Sequence, residues 1–228
     1  EKFIMGNIHI SSSKNIGNSK SVTLGSLALA NNTGNASNYS LSSATLDIVE
    51  RPLNITSTRN YDATTSTNSS NLTFSNLVGS ETINKSGTIS TSSANVGSYS
   101  SGNINTTSLS LSDGGNGGVA SNYTLTGGTH SVTITQKALG SSGTKVYDGT
   151  NTASSSDLTL SGLVGSETLT LSGSGTVPNA SVEAGKSVSL GSIAIANGSG
   201  LASNYSLSGS FTMDITTRPV TASGSRVY

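Results

Sequence analysis

The run Phe211-Thr212-Met213-Asp214-Ile215-Thr216-Thr217-Arg218-Pro219-Val220 alternates apolar and polar residues and then meets a proline. In an extended chain, successive side chains point to opposite faces. Phe211, Met213 and Ile215 therefore share one face, and Thr212, Asp214 and Thr216 the other. Proline cannot donate to a ladder, so Arg218-Pro219 marks a change of sheet or module, with no linker before it. Working backwards, the same alternation recurs at Leu158/Leu160, Leu169/Leu171, Val188/Leu190, Ile193/Ile195 and Tyr205/Leu207. Gly162, Gly165, Gly173, Gly185, Gly191, Gly198 and Gly209 lie between these runs, where turns or bulges belong. Upstream come Leu72 and Phe74, Ile83, Ile89, Leu109 and Leu111, Tyr123 and Leu125, Val132 and Ile134. Val22, Leu24, Leu27, Leu29, Tyr39, Leu41, Leu46 and Ile48 precede them. Helical periodicity is missing throughout.

The strands are organised by a long internal repeat. Asn38-Tyr39, Asn122-Tyr123 and Asn204-Tyr205 recur at spacings of 84 and 82 residues. Leu77-Val78-Gly79-Ser80-Glu81-Thr82 returns as Leu163 to Thr168, and Arg51-Pro52-Leu53, Lys137-Ala138-Leu139 and Arg218-Pro219-Val220 punctuate the copies. A repeat of this length is a module in its own right. The sequence predicts an all-β chain of tandem small β-sandwich (immunoglobulin-like) modules of about 80–86 residues in an elongated rod. Residues 1–50 read as the C-terminal part of one repeat, 51–136 and 137–217 as complete repeats, and 218–228 as the first strand of another.

Composition narrows the function. Charged residues are 10% of the chain, the formal net charge is zero, and there is no cysteine. No basic stripe exists for a phosphate backbone, so nucleic acid is not an expected partner. No stretch approaches ~20 continuous apolar residues, so no direct membrane insertion by a helix is expected. Without disulfides, hydrophobic cores or another crosslink must hold the modules.

The module openings carry a further signal. Thr144-Lys145-Val146-Tyr147-Asp148-Gly149-Thr150 follows Lys137-Ala138-Leu139. Arg59-Asn60-Tyr61-Asp62-Ala63-Thr64 follows Arg51-Pro52-Leu53, and Arg226-Val227-Tyr228 follows Arg218-Pro219-Val220. With the Ser-Asn-Tyr and Arg-Pro motifs at fixed spacing, the chain resembles the YDG-type repeat of large bacterial surface adhesins, the filamentous-haemagglutinin-like exported proteins. That resemblance implies an extracellular, cell-surface location and a repetitive stalk, filament or biofilm segment with no catalytic residues. Ala63 stands where the motif has glycine, which argues against a strict need for positive φ there. Tyr147 is expected to pack its ring on the module core and bond through its hydroxyl, and Asp148-Gly149 to form a turn.

No constellation of side chains predicts a catalytic, cofactor or metal site. His9 and His130 do not recur in the third copy and read as solvated strand residues. The absence of cysteine excludes a His/Cys metal site. Ser172-Gly173-Ser174-Gly175 reads as a turn and not as a nucleophile elbow. Asp113-Gly114-Gly115-Asn116-Gly117-Gly118 resembles part of a calcium loop but supplies one carboxylate to a cation that needs six to eight oxygens. Glu81 and Glu167 occupy matched positions, as do Lys20 and Lys186. An autocatalytic Lys–Asn crosslink would need all its side chains in an apolar pocket, against the plainer reading of a turn glutamate and a solvated lysine. Asn31, Asn35, Asn38, Asn54, Asn122 and Asn204 fall in Asn-x-Ser/Thr sequons, which chance produces readily in such a chain. Tyr39, Tyr123 and Tyr205 begin alternating strands and are expected to be buried and equivalent, whereas Tyr99 does not recur and suits a ligand better.

The function these features predict is a non-catalytic stalk or fibre segment of a surface adhesin or extracellular filament, whose partners are neighbouring repeats and, in a fibre, other copies of the chain. In such a fibre, residues 1–50 and 218–228 of adjacent molecules would complete each other by strand pairing. The alternative is a glycan- or host-surface-binding repeat module.

Overall fold

A computed structural model describes residues 13–228 except 27, 32 and 43, together with the backbone of 3–4 and 9–10. Leu27 and the side chain of His9 lie outside the described residues. Among the described residues the only helical elements are 3₁₀ turns of three residues, and the rest is strand and turn. The sheets do not close into a barrel. The chain is all-β, as the alternation requires.

The chain divides into two compact units, one of residues 1–57, 66–91 and 99–132, the other of 58–65, 92–98 and 133–228. In the second, strand Gly140–Val146 pairs antiparallel with Leu158–Ser161 and parallel with Phe211–Thr216, which in turn pairs antiparallel with Glu183–Ser187. Two smaller ladders join Thr152–Ser154 to Ser174–Thr176 and Leu169–Ser172 to Ala194–Asn197. Ala153, Leu158, Val177, Val188, Ile193, Phe211, Met213 and Ile215 form one buried cluster between them. Removing that apolar surface from water is the main favourable term holding the unit together. The boundary pair Lys137-Ala138 lies parallel to Tyr205-Ser206 and thereby anchors the start of the repeat to a late strand of the same repeat.

The first unit repeats this plan. Ile83–Thr91 pairs with Leu109–Asp113 and with Ser66–Asn68, and Asn54–Thr56 pairs with Thr73–Ser75. Arg51-Pro52 lies parallel to Tyr123-Thr124 in the register of the later copy. Leu53, Ile83 and Tyr123 centre its core, with Phe74, Leu77 and Leu111 against them. Residues of 1–50 add Gly17–Thr23 between His9-Ile10 and Ala44–Ile48. Residues 218–228 carry no strand.

Strand Gly140–Val146 shows no apolar alternation, and the sequence gives little reason to expect it. It nevertheless pairs on both edges. At Gly143 a Cβ would sit 2.1 Å from the Asp157 carbonyl oxygen, so only glycine permits that close approach. Ser141 matches Ile55 of the preceding copy, and it faces Phe211 across the parallel ladder. Both Ile55 and Ser141 are buried. The Ser141 hydroxyl finds no hydrogen-bond partner among the described residues. A buried hydroxyl without a partner destabilises, so Ser141→Ala should raise stability by about 1 kcal/mol in denaturant melts. A loss of stability would show that the hydroxyl is bonded in solution.

Candidate functional site

The repeat motifs that organise the sequence converge on one arrangement, seen once in each unit. In the second unit, Gly165 at φ 56° turns the Leu163–Thr168 loop, and the Glu167 N–H donates back to the Val164 carbonyl at 3.0 Å. This projects the Glu167 carboxylate between two tyrosines. The Tyr205 hydroxyl donates to Oε2 at 2.5 Å, and the Tyr61 hydroxyl donates to Oε1 at 2.6 Å. The Tyr205 hydroxyl oxygen also accepts the Val164 N–H at 3.1 Å. The two rings meet edge to face, centroids 5.4 Å apart and planes at 77°, a favoured aromatic geometry. Beside them the 3₁₀ turn Ala202–Asn204 aims Asn204 at an earlier loop. The Asn204 Oδ1 accepts the Val96 N–H at 2.9 Å, and its Nδ2 donates to Asn95 Oδ1 at 3.0 Å. Tyr61, Asn95 and Val96 belong to one copy of the sequence repeat; Glu167, Asn204 and Tyr205 belong to the next. The site is a joint between copies.

The first unit holds the same joint one repeat earlier. Tyr123 donates to Glu81 Oε2 at 2.7 Å and accepts the Val78 N–H at 3.1 Å, with Gly79 at φ 54° in the turn. Asn122 Oδ1 accepts the Ile16 N–H and its Nδ2 donates to Asn15 Oδ1, both at 2.9 Å. One position differs. Lys14 Nζ reaches Glu81 Oε1 at 2.7 Å and takes the place that Tyr61 fills against Glu167.

The Tyr-Asp-Gly turn sets the angle from which Tyr61 arrives. Asp62 Oδ1 accepts the Thr64 N–H at 2.9 Å and its hydroxyl at 2.8 Å, and pairs with the Arg59 guanidinium. Asp148 makes the same bonds to Thr150 at 2.8 and 2.9 Å, with the buried Lys145 ammonium at 3.1 Å. Lys145 also donates to the carbonyls of Thr150 and Thr152. The middle residue is left-handed in both copies, Ala63 at φ 61° and Gly149 at φ 81°. Positive φ is therefore required here, contrary to the expectation drawn from Ala63, because the turn geometry is fixed by the Asp–Thr bonds whichever residue sits between them.

The electrostatics follow the bonding. Burial, then the hydrogen bond to Glu167, pushes the Tyr205 hydroxyl up to about 12. The same two causes raise Tyr61, and burial together with Glu81 raises Tyr123. The hydrogen bond from Lys14, followed by that from Tyr123, lowers Glu81. The Thr150 N–H, then the Lys145 ammonium and the Thr150 hydroxyl, hold Asp148 down at about 2. At Asp62 burial acts upward, but Thr64 and Arg59 outweigh it.

Several expectations from sequence change in consequence. Tyr123 and Tyr205 are buried and equivalent, but Tyr39 is 60% exposed. The two later tyrosines each meet a carboxylate of a Leu-Val-Gly-Ser-Glu loop, and the position that corresponds to it for Tyr39 lies outside the described residues. Tyr147 is 41% exposed and not packed on a core; its counterpart Tyr61 is buried because a following Glu167 receives it. His130 is buried rather than solvated, its Nε2 2.9 Å from the Leu125 carbonyl oxygen, at the position Phe211 fills in the next copy. Glu81 and Glu167 are more than turn residues, since each receives a tyrosine hydroxyl. Lys186 is buried, with Nζ 2.6 Å from Asn179 Oδ1 and 2.9 Å from Glu183. The Glu183 side chain is 62% exposed, so the apolar enclosure that a Lys–Asn crosslink needs is lacking. The Lys20 ammonium donates to the Ser13 carbonyl at 2.9 Å. Asp113 Oδ1 accepts the Ala120 N–H, just as the neutral Asn31 and Asn197 accept those of Ala36 and Ala202. It serves as a loop cap in a place that a neutral asparagine fills in the other copies, and among the described residues no group of three or more acidic or histidine side chains is gathered as for a metal. The partners of Asn204 and Asn122, the loops at Asn95 and Asn15, carry no signal that alternation could reveal.

Tyr205→Ala removes a buried ring and leaves Glu167 and Val164 without a partner, so it should cost about 3 kcal/mol or more in thermal or denaturant unfolding. Ala63→Gly relieves a left-handed alanine and should stabilise by about 1 kcal/mol. The Tyr205 hydroxyl has a folded-state value near 12, above its ordinary 10.0. Its contribution is therefore complete below pH 10 and lost as pH rises towards 12. Melting temperatures taken across that range should fall, and Tyr205→Phe should flatten the fall.

Residues 129–213 match the model of the YDG domain. That span contains Tyr147-Asp148-Gly149, the Glu167 carboxylate and the Asn204-Tyr205 pair. No curated protein and no solved structure matches the chain.

Proposed function

We propose that this chain is a non-catalytic structural segment of an extracellular surface protein, an adhesin stalk or filament, built from tandem immunoglobulin-like β-sandwich modules at 51–136 and 137–217. Residues 1–50 and 218–228 belong to flanking modules in this reading, and the partners of each module are its neighbours in the array. One observation carries it. The residues that recur most faithfully in the sequence build the contact from one copy to the next: the asparagine of Asn-Tyr, the glutamate of Leu-Val-Gly-Ser-Glu and the tyrosine of Tyr-Asp bond across it, and the tyrosine of Asn-Tyr holds that glutamate in place from its own copy. A binding module would keep its recurrent polar groups on the surface for a ligand; here they bond one another. A carboxylate gripped by two hydroxyls and an asparagine pinned to a backbone N–H limit rotation at the joint, which suits a stalk that must keep its length. The neutral, cysteine-free composition suits export and needs no oxidative folding.

Small-angle X-ray scattering tests this reading. The largest dimension should grow in proportion to the number of repeats in chains of increasing length, and Glu167→Ala should broaden the distance distribution by loosening one joint. A largest dimension that fails to grow with added repeats would overturn the stalk. Saturable binding to a glycan array by the 228-residue chain, lost on substituting Tyr99, would favour the glycan-binding alternative.

A further inference from the structure

We infer that the face bearing Tyr147 and Val182 is the open half of a third joint, and that its occupant is a further repeat of the same class, following in tandem and presenting a Leu-Val-Gly-Ser-Glu loop with an Asn-Tyr turn. This inference rests on the joint described above and extends it to a surface that the structure leaves uncovered.

Tyr147 matches Tyr61 and sits on the same Asp–Thr turn, with its own buried cation at Lys145. Val182 matches Ile16 and Val96. The turn before each is the same: Asn15 N–H donates to Ser13 Oγ, Asn95 N–H to Ser93 Oγ, and Ser181 N–H to Asn179 Oδ1. In the two earlier copies this turn meets the asparagine of the following repeat. In the third copy, Tyr147 is 41% and Val182 49% exposed. The backbone and the turn chemistry of the docking half are thus in place, and two large apolar side chains wait on it. Ser181 stands where Asn15 and Asn95 supply an amide, so this joint keeps the backbone contact and replaces the amide pair by a shorter hydroxyl.

The chemistry of the occupant follows from what the other seats already hold. Both oxygens of Glu81 are bonded, to Lys14 and Tyr123, and both of Glu167, to Tyr61 and Tyr205. Asn122 and Asn204 are likewise engaged on both polar atoms. A second molecule of this chain offers Tyr147 no open Leu-Val-Gly-Ser-Glu carboxylate, since both of its loops of that sequence are already engaged. A repeat placed directly after residue 217 offers one, in the same sequence relation that Glu167 has to Tyr61.

Tyrosine nitration reads the difference. In the 228-residue chain, tetranitromethane followed by peptide mass mapping should modify Tyr39, Tyr147 and Tyr228 and spare Tyr61, Tyr123 and Tyr205. In a chain extended by a second copy of residues 137–217 placed after Thr217, nitration of Tyr147 should fall to the level of Tyr61. Glu→Ala at the appended counterpart of Glu167 should restore it. Continued protection of Tyr61, Tyr123 and Tyr205 shows in the same digest that the extended chain is folded. If Tyr147 is then nitrated as before, the inference fails while the joint stands. If Tyr61 is nitrated as readily as Tyr147 in the original chain, the joint itself fails. Protection of Tyr147 in the original chain that grows with protein concentration would make a second molecule the occupant and overturn the tandem assignment.

Discussion

A glutamate carboxylate held by tyrosine hydroxyls, next to an asparagine that spans two backbones, is the interaction on which the relation between successive copies depends. Each partner depends on the others. The loop glycine turns Leu-Val-Gly-Ser-Glu back on itself, the glutamate N–H closes that turn, and the tyrosine hydroxyl bonds to both the loop N–H and the carboxylate. The hydroxyl both donates and accepts, so neither the buried ring nor the loop leaves a polar atom unpaired. Unpaired groups in such a position cost far more than the bond itself contributes, which makes the arrangement all-or-none.

The Tyr-Asp-Gly motif takes its meaning from this joint. Its aspartate does not face a ligand; it closes a two-residue turn onto a threonine and holds a buried cation from three residues before. Its tyrosine points out of its own copy. A motif that looks like a ligand site in one copy is a connector when two copies are seen together. The carboxylates of the two joints meet different donors, the Lys14 ammonium at Glu81 and the Tyr61 hydroxyl at Glu167, and both donors come from the preceding copy.

The cores of the two copies repeat many of their residues: Leu53, Leu72, Tyr123 and Ile134 are buried, and so are their counterparts Leu139, Leu158, Tyr205 and Ile215. Elsewhere the identity changes while burial is kept. Ile55 and His130 stand where Ser141 and Phe211 stand in the next copy, and all four are buried. A close-packed core tolerates such exchanges when neighbours repack around them.

The sequence by itself determined the all-β class, the length of the repeat, the strands with apolar alternation and the burial of Tyr123 and Tyr205. Alternation and repetition are local properties, and each residue carries its own evidence. Only the tertiary structure decided where Glu81 and Glu167 point, that Tyr61 is covered and Tyr147 is not, and that Gly140–Val146 lies inside a sheet. A charged residue in a loop reads as solvated until its partner is known, and Tyr61 lies 106 residues from Glu167 along the chain. A strand of glycine and serine has no periodicity to read, because what places it is the close approach of its neighbours' backbones. Tyr39, Tyr123 and Tyr205 share one motif, yet Tyr39 is exposed while the other two are buried against Glu81 and Glu167, so the residues beside a tyrosine do not decide its burial.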